Sequence, residues 1–253
     1  MERVSKAQVK LIKSLQQKKY RDETHLFVAE GEKCVSELSK GFELVHLYRE
    51  GENATRSDIE LMSGLRTPQG VIGVFKKPIT NHHTAQADRQ KSQITNGELV
   101  LALDGIQDPG NLGTIIRTCD WFGVRTIICS QDTADCYNPK VVQATMGALA
   151  RIHVHYVNLP EWLAAQKGPI YGTLLDGQDM YEVLQSSINR TSSIVQSSII
   201  VMGNEGNGIS QAVRPYITHP IRIPSYPANA ETSESLNVAI ATAIVLAEFR
   251  RQG

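Results

Sequence analysis

The feature that most constrains this chain is the alternation, from residue 98 onward, of short apolar runs with longer amphipathic segments. The runs fall at 99–103, 126–129, 152–157, 170–175, 199–202 and 221–223, and the helical patterns at 112–122, 139–149, 159–165 and 235–251. A run of consecutive aliphatic residues with no polar alternation belongs to a strand buried on both faces. Strands separated by helix-length connections pair in parallel. The expected fold is therefore α/β, with a parallel sheet covered on both faces. Ligands of such sheets sit beyond the carboxyl ends of the strands, so the loops that follow them are where chemistry is expected.

Ahead of this region lies a smaller alternating α/β unit, with apolar runs at 26–29, 44–48 and 71–75 and helical patterns at 31–40 and 58–65. Residues 81–97 hold only Ala85, Ala87 and Ile94 as apolar side chains and read as a linker, in which His82 and His83 read as solvated. The division expected is 1–80, a linker at 81–97, and 98–253. At the start, Ala7, Leu11, Ile12 and Leu15 recur at helical spacing, which predicts a basic amphipathic helix over 5–20. Through residue 21, seven Lys or Arg stand against Glu2 alone.

The whole chain balances 26 basic against 26 acidic residues, which excludes a protein that holds nucleic acid by bulk charge. The zero is a cancellation: 14 basic face 11 acidic residues through residue 80, and 10 face 14 from residue 98 on. A charge run alone fits a solvated helix face as well as a binding surface. The four cysteines, Cys34, Cys119, Cys129 and Cys136, form no CxxC pair and have no histidine cluster, so neither zinc nor a disulfide framework is expected. Reduced thiols, a start at Met1–Lys6 without an apolar targeting core, and an apolar stretch at 239–247 too short for a bilayer together predict a cytoplasmic protein.

Three loops carry polar groups suited to chemistry. The first runs from Asp104 to Gly113 into a helix that contains Arg117; its Gly105, Gly110 and Gly113 do not fit a dinucleotide GxGxxG, and Asn111 stands where it could simply cap the helix. The second, Gly203-Asn204-Glu205-Gly206-Asn207-Gly208, places a carboxylate in a glycine-rich turn after a strand, and no Lys-Ser/Thr pair follows to make it a P-loop. The third leaves Ile223-Pro224 and reaches Ser235-Leu236-Asn237-Val238 at the start of the last helix, where Ser235 or Asn237 could satisfy orphan amides. That helix is apolar on most faces, which suits burial in the core or against another subunit.

Together these segments resemble the SpoU/TrmH family of knotted RNA ribose methyltransferases, within the SPOUT superfamily. The first motif is similar to 107–113 through Arg117, the second to 201–206, and the third to Ile223-Pro224 followed by 235–238. The segment Phe27-Val28-Ala29-Glu30-Gly31 resembles the ribosomal-protein-like RNA-binding domain that often precedes the catalytic one. Between Pro224 and Ser235 the chain is several residues longer than the commoner family pattern.

The resemblance implies a C-terminal trefoil knot, a homodimer, and methyl transfer from S-adenosylmethionine to a ribose 2′-hydroxyl of structured RNA without a metal. Ribosomal RNA is the implied substrate; transfer RNA, and a non-catalytic RNA-binding or ribosome-assembly protein that retains the fold, stay open as alternatives. By resemblance Asn111, Arg117, Glu205, Ser235 and Asn237 line the reaction centre, and Leu174, Gly203, Gly208, Ile223 and Leu236 form the cofactor pocket. Arg117 keeps its proton, so its implied role is to position phosphate and stabilise a developing alkoxide. Beside such a domain Lys6, Lys10, Lys13, Lys18, Lys19 and Arg21 become expected contacts to the RNA backbone.

Overall fold

The computed structural model describes residues 4–78, 98–188, 198–227 and 235–251. The expected linker at 81–97 and residues 228–234 of the third loop lie outside the described residues. The chain divides into two compact units, Met1–His82 with Asp135–Arg151, and His83–Ala134 with Ile152–Gly253.

In the first unit β1 (Leu26–Glu30), β2 (Leu44–Arg49) and β3 (Val71–Lys76) form an antiparallel sheet in the order β1-β3-β2. Helices α1 (Lys6–Ser14) and α4 (Arg56–Met62) cover one face, where Ile12, Leu15, Ile59 and Met62 pack on Val28, Ile72 and Val74. Residues of the other parity face α3 (Glu32–Leu38) and an aromatic cluster. There Phe27 stacks on Phe75 at 5.5 Å and meets Tyr137 at 5.0 Å. Burial on both faces is why β1 and β3 read as continuous apolar runs.

Tyr137 marks a departure from the sequence reading. The helical pattern at 139–149 becomes α6 (Pro139–Thr145) and a 3₁₀ turn, Ala148–Ala150, and α6 packs on β1 of the antiparallel sheet. An amphipathic pattern states that a helix has a face to bury. It does not state which sheet will take that face.

The predicted basic helix also differs: it is two helices, α1 and α2 (Lys18–Thr24). The first begins with a reciprocal cap in which Ser5 Oγ accepts the Gln8 N–H at 3.2 Å and Gln8 Oε1 accepts the Ser5 N–H at 2.8 Å.

In the second unit six parallel strands lie in the order β6-β5-β4-β8-β7-β9. They are β4 (Val100–Asp104), β5 (Thr126–Ser130), β6 (His153–Val157), β7 (Ile170–Asp179), β8 (Ile199–Gly203) and β9 (His219–Arg222). On one face Val100, Ala102, Ile128, Ile199 and Val201 pack with Leu159, Trp162 and Leu163 of α7 (Leu159–Ala164). The other helices are α5 (Pro109–Trp121), α8 (Met180–Ile188) and α9 (Val238–Arg251), of which α8 has no counterpart in the sequence reading.

Helices α5 and α9 run side by side, and α9 packs on β8. At their far ends Arg250 donates from Nε to the Phe122 carbonyl at 2.6 Å and from Nη2 to that of Gly123 at 3.0 Å. A cation thus satisfies the carbonyl end of α5. Asp104 and Gly203 are register partners at the ends of β4 and β8, so the first two loops leave the sheet together.

Candidate active site

The first loop enters α5 through Asp108, with Pro109 in the first helical turn. Asp108 Oδ1 accepts the Asn111 N–H at 2.7 Å, so Asp108 is the cap and Asn111 is not. The Asn111 side chain is thereby released for other partners.

Those partners come from far along the chain. Asn111 Nδ2 donates to Glu205 Oε1 at 2.8 Å, and Asn237 Nδ2 donates to Asn111 Oδ1 at 3.0 Å. Asn237 Oδ1 in turn accepts the N–H groups of Ala239 at 3.0 Å and Ile240 at 3.3 Å, capping α9. The direction of the relay follows from this cap. Amide oxygens must face the helix N–H groups, which turns the Asn237 nitrogen to Asn111 and the Asn111 nitrogen to the carboxylate. The starts of α5 and α9 are pinned here, as their far ends are by Arg250.

The loop that holds Glu205 closes on itself. Asn204 and Gly208 exchange two backbone hydrogen bonds, of 3.0 and 2.9 Å. A Cβ on Gly203 would stand 2.2 Å from the Gly208 carbonyl carbon, which makes a side chain impossible without opening the turn. Two residues that sequence reasoning missed fasten this loop to the first one. Asn204 Nδ2 donates to the Gly105 carbonyl at 2.7 Å, and the Ser210 N–H donates to Asp104 Oδ2 at 2.7 Å.

Arg117 lies outside the relay. Six residues along a helix turn it about 120° from Asn111 and move it about 9 Å along the axis. It is exposed and makes no ion pair among the described residues. Ser235 is exposed and makes no hydrogen bond to the relay.

The five residues expected at a cofactor pocket differ in exposure. Gly203 is buried, Gly208 adopts φ +66° with open space where a Cβ would point, and Leu236 is 50% exposed. Ile223 is half-buried. Leu174 packs against the core below α7 and lines a cavity of about 190 Å³ with Asp176, Arg214, Ile217 and Pro220, which includes none of the relay residues. Among the described residues no group of three or more His, Cys, Asp or Glu is arranged to hold a metal ion.

The model of the SpoU rRNA methylase family matches residues 98–247, and that of the MRM3-like substrate binding domain matches residues 6–60. The chain belongs to the SpoU rRNA methylase family. This SpoU-family chain is 30% identical over 256 residues to the 23S rRNA (guanosine(2553)-2′-O)-methyltransferase RlmP of Bacillus subtilis (strain 168), covering 99% of the chain and 98% of its relative. It is 33% identical over 185 residues to the 23S rRNA (guanosine-2′-O-)-methyltransferase RlmB of Neisseria meningitidis serogroup B, covering 73% and 69%. The fold is similar to that of an AdoMet-bound rRNA methyltransferase from Sinorhizobium meliloti, with TM-score 0.81, 32% identity and coverage of 99% and 97%.

The basic residues at the start of this SpoU-family chain separate into two sets. Lys6, Lys10 and Lys13 are exposed along α1 at spacings of four and three, one stripe on the side away from the buried Ile12 and Leu15. On α2, Lys18 pairs with Asp22 at 2.8 Å and Lys19 with Glu23 at 3.9 Å. Arg21 corrects the sequence reading outright. It is 1% exposed, its Nη2 pairs with Asp135 Oδ2 at 2.8 Å and its Nη1 donates to the Leu15 carbonyl at 2.8 Å. Its charge is consumed inside the unit and does not reach a phosphate.

Proposed function

We propose that this protein transfers the methyl group of S-adenosylmethionine to a ribose 2′-hydroxyl of ribosomal RNA. The observation that carries the proposal is the Asn237–Asn111–Glu205 relay at the carboxyl ends of β4 and β8. It joins one side chain from each of the three motif segments, from positions 94 and 126 residues apart. The names of the relatives and the match to a substrate binding domain support ribosomal RNA as the substrate.

The residues present suit the cofactor. Leu175, 76% exposed, and Leu236, 50% exposed, offer apolar surface for an adenine, and Gly208 leaves its backbone open to close approach. Bound S-adenosylmethionine supplies a sulfonium methyl that is electrophilic without further activation. The chain has to align the acceptor hydroxyl with it and stabilise the oxygen as its proton leaves. Arg117, exposed and without an ion pair among the described residues, is suited to grip an RNA phosphate and the developing alkoxide. Asn111 and Glu205, locked by the relay, present polar groups that need no reorganisation during reaction. Lys6, Lys10 and Lys13 are assigned to the RNA backbone.

The same reading takes 98–253 as the catalytic region behind a small RNA-binding domain, with a trefoil knot among the loops of β7, β8 and β9 and a homodimer in the cytoplasm. Trp121 of α5, 86% exposed, and Ile240 of α9, 55% exposed, support a partner surface on the neighbouring helices α5 and α9. Four buried cysteines accord with a reducing compartment, and burial pushes the Cys34 thiol up to about 11. Among the described residues no helix is long and apolar enough to cross a membrane.

The test is incubation of the protein with S-adenosylmethionine and total RNA, followed by mapping of positions resistant to alkaline cleavage. Methylation of a 2′-oxygen removes the internal nucleophile of hydrolysis, so a modified nucleotide is read as a gap. One gap in large-subunit ribosomal RNA is expected. Gaps confined to transfer RNA would move the substrate, and their absence from every RNA would overturn the activity.

A further inference from the structure

We infer that Asn204 is a positioning residue for methyl transfer, acting through Glu205; the inference rests on the activity proposed above. Asn204 uses both ends of its amide. Its Oδ1 accepts the N–H groups of Gly206 at 2.9 Å and Asn207 at 3.1 Å, which folds the chain tightly around Glu205. Its Nδ2 donates to the Gly105 carbonyl at 2.7 Å, in the loop that leads to Asn111. Glu205 and Asn111 are thus joined twice: directly, through their own hydrogen bond, and indirectly, through Asn204 and the first loop.

The first loop is itself held. The Gly105 N–H donates to the buried Ser130 Oγ at 2.8 Å, and Asp104, 7% exposed, returns a bond to the second loop by accepting the Ser210 N–H. Both cross-loop bonds are donated by the second loop, one from its side chain and one from its backbone. A loop fastened at both Asn204 and Ser210 cannot slide past its neighbour, so the Glu205 carboxylate is delivered to one place. Displacement of about 1 Å at a reacting centre costs about 100-fold in rate, which is the scale of effect such a brace protects.

Asn204→Asp separates this role from turn formation, because an aspartate still accepts the Gly206 and Asn207 N–H groups but cannot donate to Gly105. The expected result at saturating RNA and S-adenosylmethionine is a fall of about 10- to 100-fold in the single-turnover rate. RNA KM and binding of S-adenosylhomocysteine should stay at their wild-type values. In a Glu205→Ala background the same substitution should add no further loss, since the group it positions is gone. A wild-type rate for Asn204→Asp, or equal losses in both backgrounds, would overturn the inference; Asn204→Ala is read in the same cycle should the aspartate variant not fold.

A readout independent of turnover keeps the two proposals apart. The side-chain amide resonances of Asn111, bonded to Glu205 in the wild type, should move in Asn204→Asp toward their positions in Glu205→Ala. If the wild type methylates no RNA, the activity fails while these resonances still decide the brace: unmoved signals reject it.

Discussion

Asn237 shows how one amide can serve both stability and the site. Its oxygen caps α9 and its nitrogen fixes Asn111, so the two roles can be separated by chemistry at a single position. Asn237→Asp keeps a good capping oxygen but loses the donor, and places a carboxylate against the Asn111 oxygen. The melting temperature is expected to stay within a few degrees of the wild type while single-turnover methyl transfer falls by about tenfold or more. Asn237→Ala loses both functions and is expected to cost about 1 kcal/mol of stability as well, measured by denaturant unfolding. Wild-type activity and stability in Asn237→Asp, with stability alone lost in Asn237→Ala, would show that the cap is the residue's only role. The motifs make Asn111, Glu205 and Asn237 visible in the sequence, but spacing alone leaves Asn111 a potential cap, a place that Asp108 takes in the structure. The braces from Asp104 and Asn204 are not legible in the sequence, because a side chain bonded to a distant backbone group leaves no periodic mark.

At the scale of elements, α1 and α2 carry similar charge to different ends. The stripe of Lys6, Lys10 and Lys13 on α1 meets no acid along its helix, whereas Lys18 and Lys19 on α2 each have an acidic partner one turn on. Such exposed pairs add little to stability, but they blunt the field offered to a phosphate. Replacement of all three α1 lysines by glutamine is expected to reduce the slope of log K against log salt for RNA binding by about 2 to 3. Binding of S-adenosylhomocysteine should not change. The same triple substitution on an unchanged slope would remove the stripe from the RNA interface. Arg21 belongs to neither set, because its partner Asp135 is only 10% exposed and a buried pair broken on one side costs about 3–5 kcal/mol. Asp135→Ala is therefore expected to destabilise by that order in chemical denaturation, with RNA affinity lost only as the fold is lost. The strand runs were legible because burial on both faces removes polar residues. The pairing of Arg21 with a residue more than a hundred positions away was not.

For the whole molecule, the exposed Trp121 of α5 and Ile240 of α9 are the side chains on which the proposed dimer rests. Val245, Leu246 and Phe249 supply the buried side of α9, which explains why the segment is apolar on most faces. Ile240→Asp is expected to convert a dimer to a monomer in sedimentation velocity without lowering the melting temperature of the monomer. A wild-type chain that sediments as a monomer at micromolar concentration would remove the dimer.

The sequence by itself determined the α/β class and the order of nearly every element, because hydrophobic periodicity is a local record of which faces are buried. It also supplied the three motif segments, and it hid a basic start and an acidic-leaning remainder inside a net charge of zero. Tertiary structure decided where the pieces go. It sent residues 135–151 to the antiparallel unit, withdrew Arg21 into the interior, and aligned α5 with α9 so that three polar side chains meet. These outcomes depend on hydrogen bonds and packing between segments distant along the chain, and a local pattern records only that a group needs a partner, not which one it finds.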